Sequence, residues 1–368
     1  MGDKGTIIYY GGFSLPDKNA SANRVVSNGK IFEAIGYRVV FLGADYEDSG
    51  YEGVKSVGEN MLCEAHPSGA VQWLKQIIFF KNLKNLISQD KTVKLVILYN
   101  VPFITLLLAK QFLKKYHVEV AYDCTEWTRF TEGSFVKRAF KYIDEFFVSG
   151  LVHLVAHRVI VISEMMMKAY KSSKKIIKLP PLVDISDPMW HQVPEKGNEA
   201  FTFCFAGFPG GNKEYLDKVV EAFSSLNIEA RLKIVGVDRE QFLELYPGTT
   251  MGQGVEFLGL LSHSESIKEI LSCDCYVFIR PSDRRNNAGF PTKFVESFTC
   301  GVKIITTDVS DVKSYADEDC IILQSTDVAE ITSAMETIMH SGRGSYNGAL
   351  RNAFDYRNYI DETQRWLS

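Results

Sequence analysis

The sequence has no long apolar run. Nowhere in its 368 residues do about 18 uncharged apolar residues stand together, so we predict no membrane-spanning helix. The first residues lack the basic region followed by an apolar stretch that a secretion signal requires. The seven cysteines, an odd number, stand mostly in apolar segments and indicate reduced thiols rather than a disulfide framework. Together these features favour a cytoplasmic protein.

Common motifs for phosphate and metal binding are also missing. A glycine-rich segment contains Lys213, but this lysine is not preceded by Gly or followed by Ser or Thr, so the segment is not a P-loop. His153 and His157 stand four apart on a predicted helix, but Leu154 replaces the acid of a zinc protease and no third ligand is evident. We therefore predict no metal site.

Charge is close to balanced overall but unevenly spread. The net charge is −4; residues 1–183 carry 24 Lys and Arg against 17 Asp and Glu, and the rest carry 17 against 28. Residues 71–84 and 130–147 mix aromatic and basic side chains. Such stretches can lie on an anionic membrane, although most are helices with one buried face. We favour peripheral membrane contact, and the acidic second half argues against nucleic acid.

Short apolar runs alternate with helical patterns throughout the chain. This rhythm predicts strands near residues 5–10, 37–42, 95–98 and 118–122, and then again near 201–205, 232–235, 255–258, 275–279 and 302–305. The fold class is therefore α/β, with two Rossmann-like doubly wound domains. Paired prolines at 180 and 181 mark a linker, so we predict domains at 1–185 and 186–345, followed by a helical tail at 346–368.

The most informative segment runs from Arg280 to Gly301. A buried strand ends at Arg280, a polar loop follows, and Pro291 stands where the first turn of a helix tolerates proline. We expect Gly289 to let the backbone approach a ligand, and the amides at the helix start to bind a diphosphate. Glu296, in the second turn, is positioned to accept hydrogen bonds from a ribose.

This segment resembles the signature of retaining glycosyltransferases of family 4, which have the GT-B fold of two Rossmann-like domains facing across a cleft. The resemblance implies that Glu296 contacts the nucleotide ribose and that Gly289, Phe290 and Thr292 line the donor site. The family's first acid stands eight residues before the second, and Ala288 occupies that position here.

A second resemblance lies in the glycine loop at residues 205–213. It is similar to the family segment in which a lysine neutralises the donor diphosphate, which implies a role for Gly207, Gly211 and Lys213. Phe208 stands where the family often has an arginine. We therefore expect a second positive charge from one of three arginines: Arg280, Arg284 or Arg285.

In the first domain, the counterpart of the family's acceptor loop is Gly11 and Gly12, after the first strand. Asp123 and Glu126 follow another strand, and we expect one of them to orient the acceptor, although acids at strand ends are also common as helix caps.

The resemblance implies transfer of a sugar from a UDP-sugar or GDP-sugar to a lipid-linked glycan at the inner face of the cell membrane, without a cofactor or metal. The expected pathway is synthesis of a cell-surface polysaccharide or glycoconjugate. Two alternatives stay open. A sugar-nucleotide epimerase of the same fold would turn over without acceptor, and a non-catalytic homologue, suggested by Ala288, would bind a glycan or a partner enzyme.

Overall fold

The computed structural model describes residues 4–48, 50–127, 135–192, 200–210, 213–226, 229–342 and 350–368. The chain forms two compact units, of which the first is Met1–Val183 with Tyr356–Ser368 and the second is Asp184–Asp355. Each unit contains its own mainly parallel sheet with helices along it, which confirms the predicted α/β fold class.

The first unit contains an eight-stranded sheet. Its strands are β1 (Thr6–Gly11), β2 (Arg38–Asp45), β3 (Lys55–Gly58), β4 (Met61–Ala65), β5 (Val93–Tyr99), β6 (Glu119–Cys124), β7 (Arg158–Val161) and β8 (Ile176–Lys178). The order is β3-β4-β2-β1-β5-β6-β7-β8, and only the β3–β4 pair is antiparallel. Ile7 pairs with both Val39 and Leu95, so β1 lies in the centre of the sheet.

Six helices accompany this sheet along the chain. They are α1 (Ala20–Ile35), α2 (Ala70–Phe79), α3 (Lys81–Gln89), α4 (Phe103–Lys114), α5 (Phe135–Val155) and α6 (Glu164–Ala169). Helix α1 begins where the Asn19 side chain accepts a hydrogen bond from the Ala22 N–H, and it ends at Gly36, whose φ is +107°. These local signals position α1 against β1 and β2.

The second unit contains a six-stranded parallel sheet. Its strands are β9 (Phe201–Ala206), β10 (Ala230–Val235), β11 (Val255–Gly259), β12 (Cys275–Phe278), β13 (Lys303–Thr307) and β14 (Cys320–Leu323). The helices are α7 (Leu216–Ser224), α8 (Arg239–Leu245), α9 (His263–Ser272), α10 (Arg284–Ala288), α11 (Thr292–Thr299) and α12 (Val328–His340). The strand order β11-β10-β9-β12-β13-β14 reverses direction between β9 and β12. Ligands of such sheets bind beyond the carboxyl ends of the strands at this reversal.

The end of the chain differs from the predicted separate tail at 346–368. Residues up to Asp355 belong to the second unit, whereas helix α13 (Ile360–Leu367) packs on the first. The Trp366 ring is buried beside Phe32 of α1, and the Arg158 guanidinium donates to the Leu367 carbonyl at 2.7 Å. An aromatic side chain at the end of an amphipathic helix is most stable in a core, which explains the return.

All seven cysteines are free thiols, and six of them are buried. Within the described ranges, no helix has both the length and the apolar composition needed to cross a bilayer.

Candidate functional site

Strands β9 and β12 meet only briefly at the reversal of the second sheet. They pair over Phe203 and Cys204, and the Tyr276 hydroxyl then bonds the main chain of Ala206. Beyond Ala206, Gly207 adopts a φ of +104°, and a Cβ on the neighbouring Gly236 would lie 2.6 Å from the carbonyl carbon of Gly207. Both glycines are therefore required for the close approach of these two loops.

Lys213 lies between β9 and α7, in a 3-10 turn. Its N–H donates to the Gly210 carbonyl at 3.3 Å, and α7 begins only at Leu216. The glycine at 210, with a φ of +68°, provides the turn that precedes the lysine. Gly211, also predicted to line the site, lies outside the described residues.

Arg280 was one of the arginines predicted to supply a positive charge to the donor diphosphate, but its guanidinium is directed to Glu214. Its guanidinium is buried and turned onto Glu214, with the Nε atom 2.8 Å from Glu214 Oε1 and a second, short contact through Nη2. Arg284 is exposed and Arg285 half-buried, both in the first turn of α10, where the Asp283 side chain caps the Asn286 N–H at 2.8 Å. The three arginines therefore lie in different environments.

Lys293, which the sequence analysis missed, completes a buried ionic cluster. Its Nζ atom lies 2.8 Å from Glu214 Oε2, 3.2 Å from the Phe208 carbonyl oxygen and 4.9 Å from the centre of the Phe205 ring. A lysine in the first turn of a helix is disfavoured by the helix dipole. This unfavourable position is the feature of the sequence that could have indicated Lys293, because a lysine there needs a negatively charged partner.

Glu214, the second missed residue, holds both cations. Burial alone would raise the pKa of its carboxyl, but the charges of Lys293 and Arg280 outweigh burial and hold the pKa below its ordinary value. The carboxylate is therefore ionised at neutral pH, at the point where β9 and β12 end.

The amides that lead into α11 are those predicted to bind the donor diphosphate. The Gly289 N–H donates to the Arg285 carbonyl at 3.0 Å, so this amide is already bonded within the chain. The Phe290 ring is buried against Phe294 and Phe354. By contrast, the N–H groups of Thr292 and Lys293 have no acceptor within the described part of the chain. They are the open end of the helix.

Glu296 lies in the second turn of α11, with about a quarter of its side chain exposed. Its Oε1 atom is 3.1 Å from Nε2 of His263, the first residue of α9, a partner that the sequence analysis missed. Ala288 is fully buried at the end of α10, so a carboxylate at that position would face the core. Of the two acids of the family signature, the second, Glu296, is therefore the one that this chain retains.

In the first unit, Gly11 and Gly12 end β1 and begin the loop. A Cβ on Gly11 would lie 2.5 Å from the Tyr99 carbonyl oxygen, so this glycine allows close packing against β5. Gly12 is exposed, with its carbonyl oxygen 3.5 Å from the Tyr46 hydroxyl. Glu126 is exposed after β6.

Asp123 is buried, which is a correction to its expected role in orienting an acceptor. Its carboxylate is wholly excluded from solvent and pairs with the Arg24 guanidinium at 2.9 Å. The Tyr9 hydroxyl donates a short hydrogen bond to it, and Asn28 Nδ2 lies 3.4 Å away. Asp123 therefore connects β6 to α1 and β1 through side-chain contacts. The Arg24 guanidinium also donates to the Leu179 carbonyl at 2.7 Å.

Helices α2 and α5 expose an unusual number of apolar side chains. The exposed large apolar residues on these two helices are Val71, Leu74, Phe79, Tyr142, Ile143, Phe146, Phe147 and Leu154. Trp73 and Phe140 pack edge-on at 5.1 Å and join the two helices. Lys75 and Arg138 are exposed on the same helices. We call this set the apolar face; residues 130–134 of the predicted stretch lie outside the described residues.

An acidic segment at residues 317–319 and the predicted helix position His157 both have partners within the chain. Asp317 and Asp319 bind the Arg351 guanidinium at 3.0 and 2.6 Å, and His157 Nδ1 accepts the Val120 N–H at 3.0 Å. Among the residues that the structure describes, no group of three or more His, Cys, Asp or Glu side chains is arranged to hold a metal ion.

Comparison with known structures gives extensive similarity over the whole chain. Sucrose-phosphate synthase from Thermosynechococcus elongatus is 14% identical, with 99% of this chain and 98% of that chain covered and a TM-score of 0.73. HepE from Anabaena, in complex with UDP-glucose, is 11% identical, with 99% of each chain covered and a TM-score of 0.67. The catalytic domain of starch synthase IV from Arabidopsis thaliana, bound to ADP and acarbose, is also 11% identical, with 99% of each chain covered and a TM-score of 0.67.

No curated protein matches the chain by sequence. The sequence profile described as glycosyl transferases group 1 matches residues 189–360, a range that contains β9 to β14 and most of the second unit. Its span includes the glycine loop, Glu214 and the helix that carries Glu296. Residues 189–360 therefore resemble the glycosyl transferases group 1 family, and the chain has the GT-B fold of two α/β domains.

Proposed function

We propose that the protein transfers a hexosyl group from a UDP-sugar or GDP-sugar to a glycan with retention of anomeric configuration. One observation carries the proposal: the open N–H groups of Thr292 and Lys293 and the accessible carboxylate of Glu296 lie on one helix, at the strand reversal of the second sheet. A helix start favours phosphate, and a carboxylate one turn later accepts ribose hydroxyls. HepE with UDP-glucose and starch synthase IV with ADP support a nucleotide-linked donor.

In the proposed reaction, Lys213 and the open amides of α11 bind the donor diphosphate. The bond from the anomeric carbon to the diphosphate oxygen breaks while the acceptor oxygen bonds to the same carbon from the same face. The acceptor proton passes to the departing diphosphate. Positive charge and oriented N–H groups stabilise the charge that develops on the leaving group, which is the main electrostatic task of this chemistry. We propose that this proceeds without a metal.

For the acceptor, we propose a lipid-linked glycan used by the first unit at the inner face of the cell membrane, in polysaccharide or glycoconjugate synthesis. The apolar face supports membrane contact, because Val71 and Phe146 are 69% and 66% exposed and the same helices carry the exposed cations of Lys75 and Arg138. Apolar rings with neighbouring Lys and Arg suit an anionic bilayer surface. We assign Glu126 and the loop at Gly11 and Gly12 to the acceptor.

Product analysis tests this proposal. The protein is incubated with UDP-hexoses or GDP-hexoses and a lipid-linked glycan, and the new glycosidic linkage is examined by nuclear magnetic resonance. The donor's anomeric configuration should be kept. An inverted linkage would contradict retention, whereas donor turnover without acceptor would indicate an epimerase. Glycan binding with no nucleotide binding would instead indicate the non-catalytic alternative.

Ligand binding tests the donor site separately. A nucleoside diphosphate at 100 times its dissociation constant should stabilise the protein by about 2.7 kcal/mol, measured by thermal shift with UDP and GDP. Lys213→Ala should weaken binding of the diphosphate far more than binding of the nucleoside, because the lost contact is a charge-assisted one. Equal weakening of diphosphate and nucleoside binding would show that Lys213 does not contact the phosphates.

A further inference from the structure

The cluster formed by Glu214, Arg280 and Lys293 holds one more positive charge than negative. The three side chains are 1%, 8% and 9% exposed, so the cluster is largely withdrawn from water. Within the described ranges, neither cation pairs with a second carboxylate. A buried charge without a counter-charge is costly, so the surplus indicates that an anion completes the cluster.

The surplus charge is located at the ammonium of Lys293. Arg280 directs both Nε and Nη2 to Glu214, whereas Lys293 spans Glu214 and the Phe208 carbonyl. An ammonium has three N–H donors, and among the described residues it donates to the Phe208 carbonyl, forms an ion pair with Glu214 Oε2 and lies 4.9 Å from the centre of the Phe205 ring. The third donor is therefore available to a ligand.

The same ammonium lies where the glycine loop and the start of α11 meet. A Cβ on Gly207 would be 2.9 Å from Lys293 Nζ, and the open N–H groups of Thr292 and Lys293 belong to the same helical turn. Phe208, whose carbonyl Lys293 binds, stands at the position where the resemblance leads one to expect an arginine. The positive charge beside residue 208 is thus supplied by Lys293 of α11 rather than by the side chain at position 208 of the glycine loop.

We propose that Lys293 is a donor-binding residue that contacts the diphosphate of the nucleotide sugar, and that Glu214 is the positioning residue that holds it. This inference rests on the proposed function and adds a residue to its donor site. Glu214 offsets the unfavourable placement of a lysine at a helix start, and the diphosphate completes the charge balance when it binds. Arg280 takes no part in binding and serves to anchor Glu214.

Calorimetric titration with UDP, GDP, uridine and guanosine tests the proposal on three variants. Lys293→Met should weaken diphosphate binding by about tenfold to a hundredfold while nucleoside binding changes less than about twofold, because a charge-assisted hydrogen bond is lost. Lys293→Arg should restore most of the affinity. Lys268→Met, which removes an exposed lysine of α9, is the matched control and should bind as the wild type does.

Because Lys293→Met leaves Glu214 with a single partner, folding is checked by melting temperature. The double variant Lys293→Met with Glu214→Gln removes one charge of each sign and should fold while binding the diphosphate as weakly as Lys293→Met. Glu214→Gln alone should also weaken diphosphate binding selectively, since it releases Lys293 from its position.

The outcomes separate this inference from the proposed function. Wild-type affinity for diphosphates in a folded Lys293→Met protein, or equal loss of nucleoside and diphosphate, would overturn the role of Lys293 and leave the proposed function in place. A wild-type protein that binds no nucleoside diphosphate would overturn both.

Discussion

Nε2 of His263 lies 3.1 Å from Oε1 of Glu296, so the carboxylate assigned to the nucleotide ribose already has a partner. His263 begins α9, where Ser262 and Glu265 form a capping box that fixes the start of the helix. The imidazole is therefore held in place beside α11. Among the described residues, His263 contacts Oε1 of Glu296, which leaves Oε2 for a ligand.

Glu296→Gln should lower sugar transfer by about one to two orders of magnitude. The variant keeps the size of the side chain but loses a charged acceptor, and such hydrogen bonds contribute about 1.5 to 3 kcal/mol. The melting temperature should change little, because the carboxylate is partly exposed. Transfer rate and melting temperature are measured together. Unchanged transfer at unchanged stability would show that Glu296 is not a donor contact.

Asp123→Asn should destabilise the first unit by about 3 to 5 kcal/mol, because it leaves the buried Arg24 guanidinium without a counter-charge. Urea unfolding measures the loss. Glu126→Gln, an exposed position on the loop after β6, is the matched control and should change stability by less than about 0.5 kcal/mol while raising the KM for acceptor. Normal stability with lost transfer in Asp123→Asn would return Asp123 to the acceptor site.

Glu214 should make the stability of the second unit sensitive to acid. Its pKa in the folded protein is depressed by Lys293 and Arg280, so its contribution is complete above the unfolded value of about 4.3. The contribution is lost as pH falls through the lower folded pKa. Urea unfolding at pH 7 and below pH 4 should show a smaller loss of stability in Glu214→Gln than in the wild type. Parallel pH profiles would contradict this.

The apolar face should bind anionic vesicles. Phe146→Ser should reduce sedimentation with vesicles that contain an anionic phospholipid, and added salt should reduce sedimentation of the wild type. Leu260→Ser is the matched control, because Leu260 is 89% exposed but lies in the second unit. Equal losses of sedimentation in both variants, or sedimentation that does not depend on lipid charge, would show that the apolar face does not contact the membrane.

The sequence by itself determined the elements of the fold. Apolar runs such as those of β1 and β9 become strands because their burial on both faces leaves no other arrangement as favourable. The position of Pro291 predicted the start of α11 in the same way, because this signal acts on the backbone locally. Glu296 on the second turn of that helix followed directly.

Only the tertiary structure decided which charges meet. Arg280 and Glu214 are 66 residues apart, and Arg24 and Asp123 are 99 apart, so their pairing depends on which strands become neighbours. Neighbouring strands also brought Lys293 to the glycine loop and closed the core around Asp123. Helix α13 packs on the first unit because the Trp366 side chain is buried there, beside Phe32. Periodicity within a segment does not identify such distant partners, because their pairing depends on which buried groups the tertiary structure brings together.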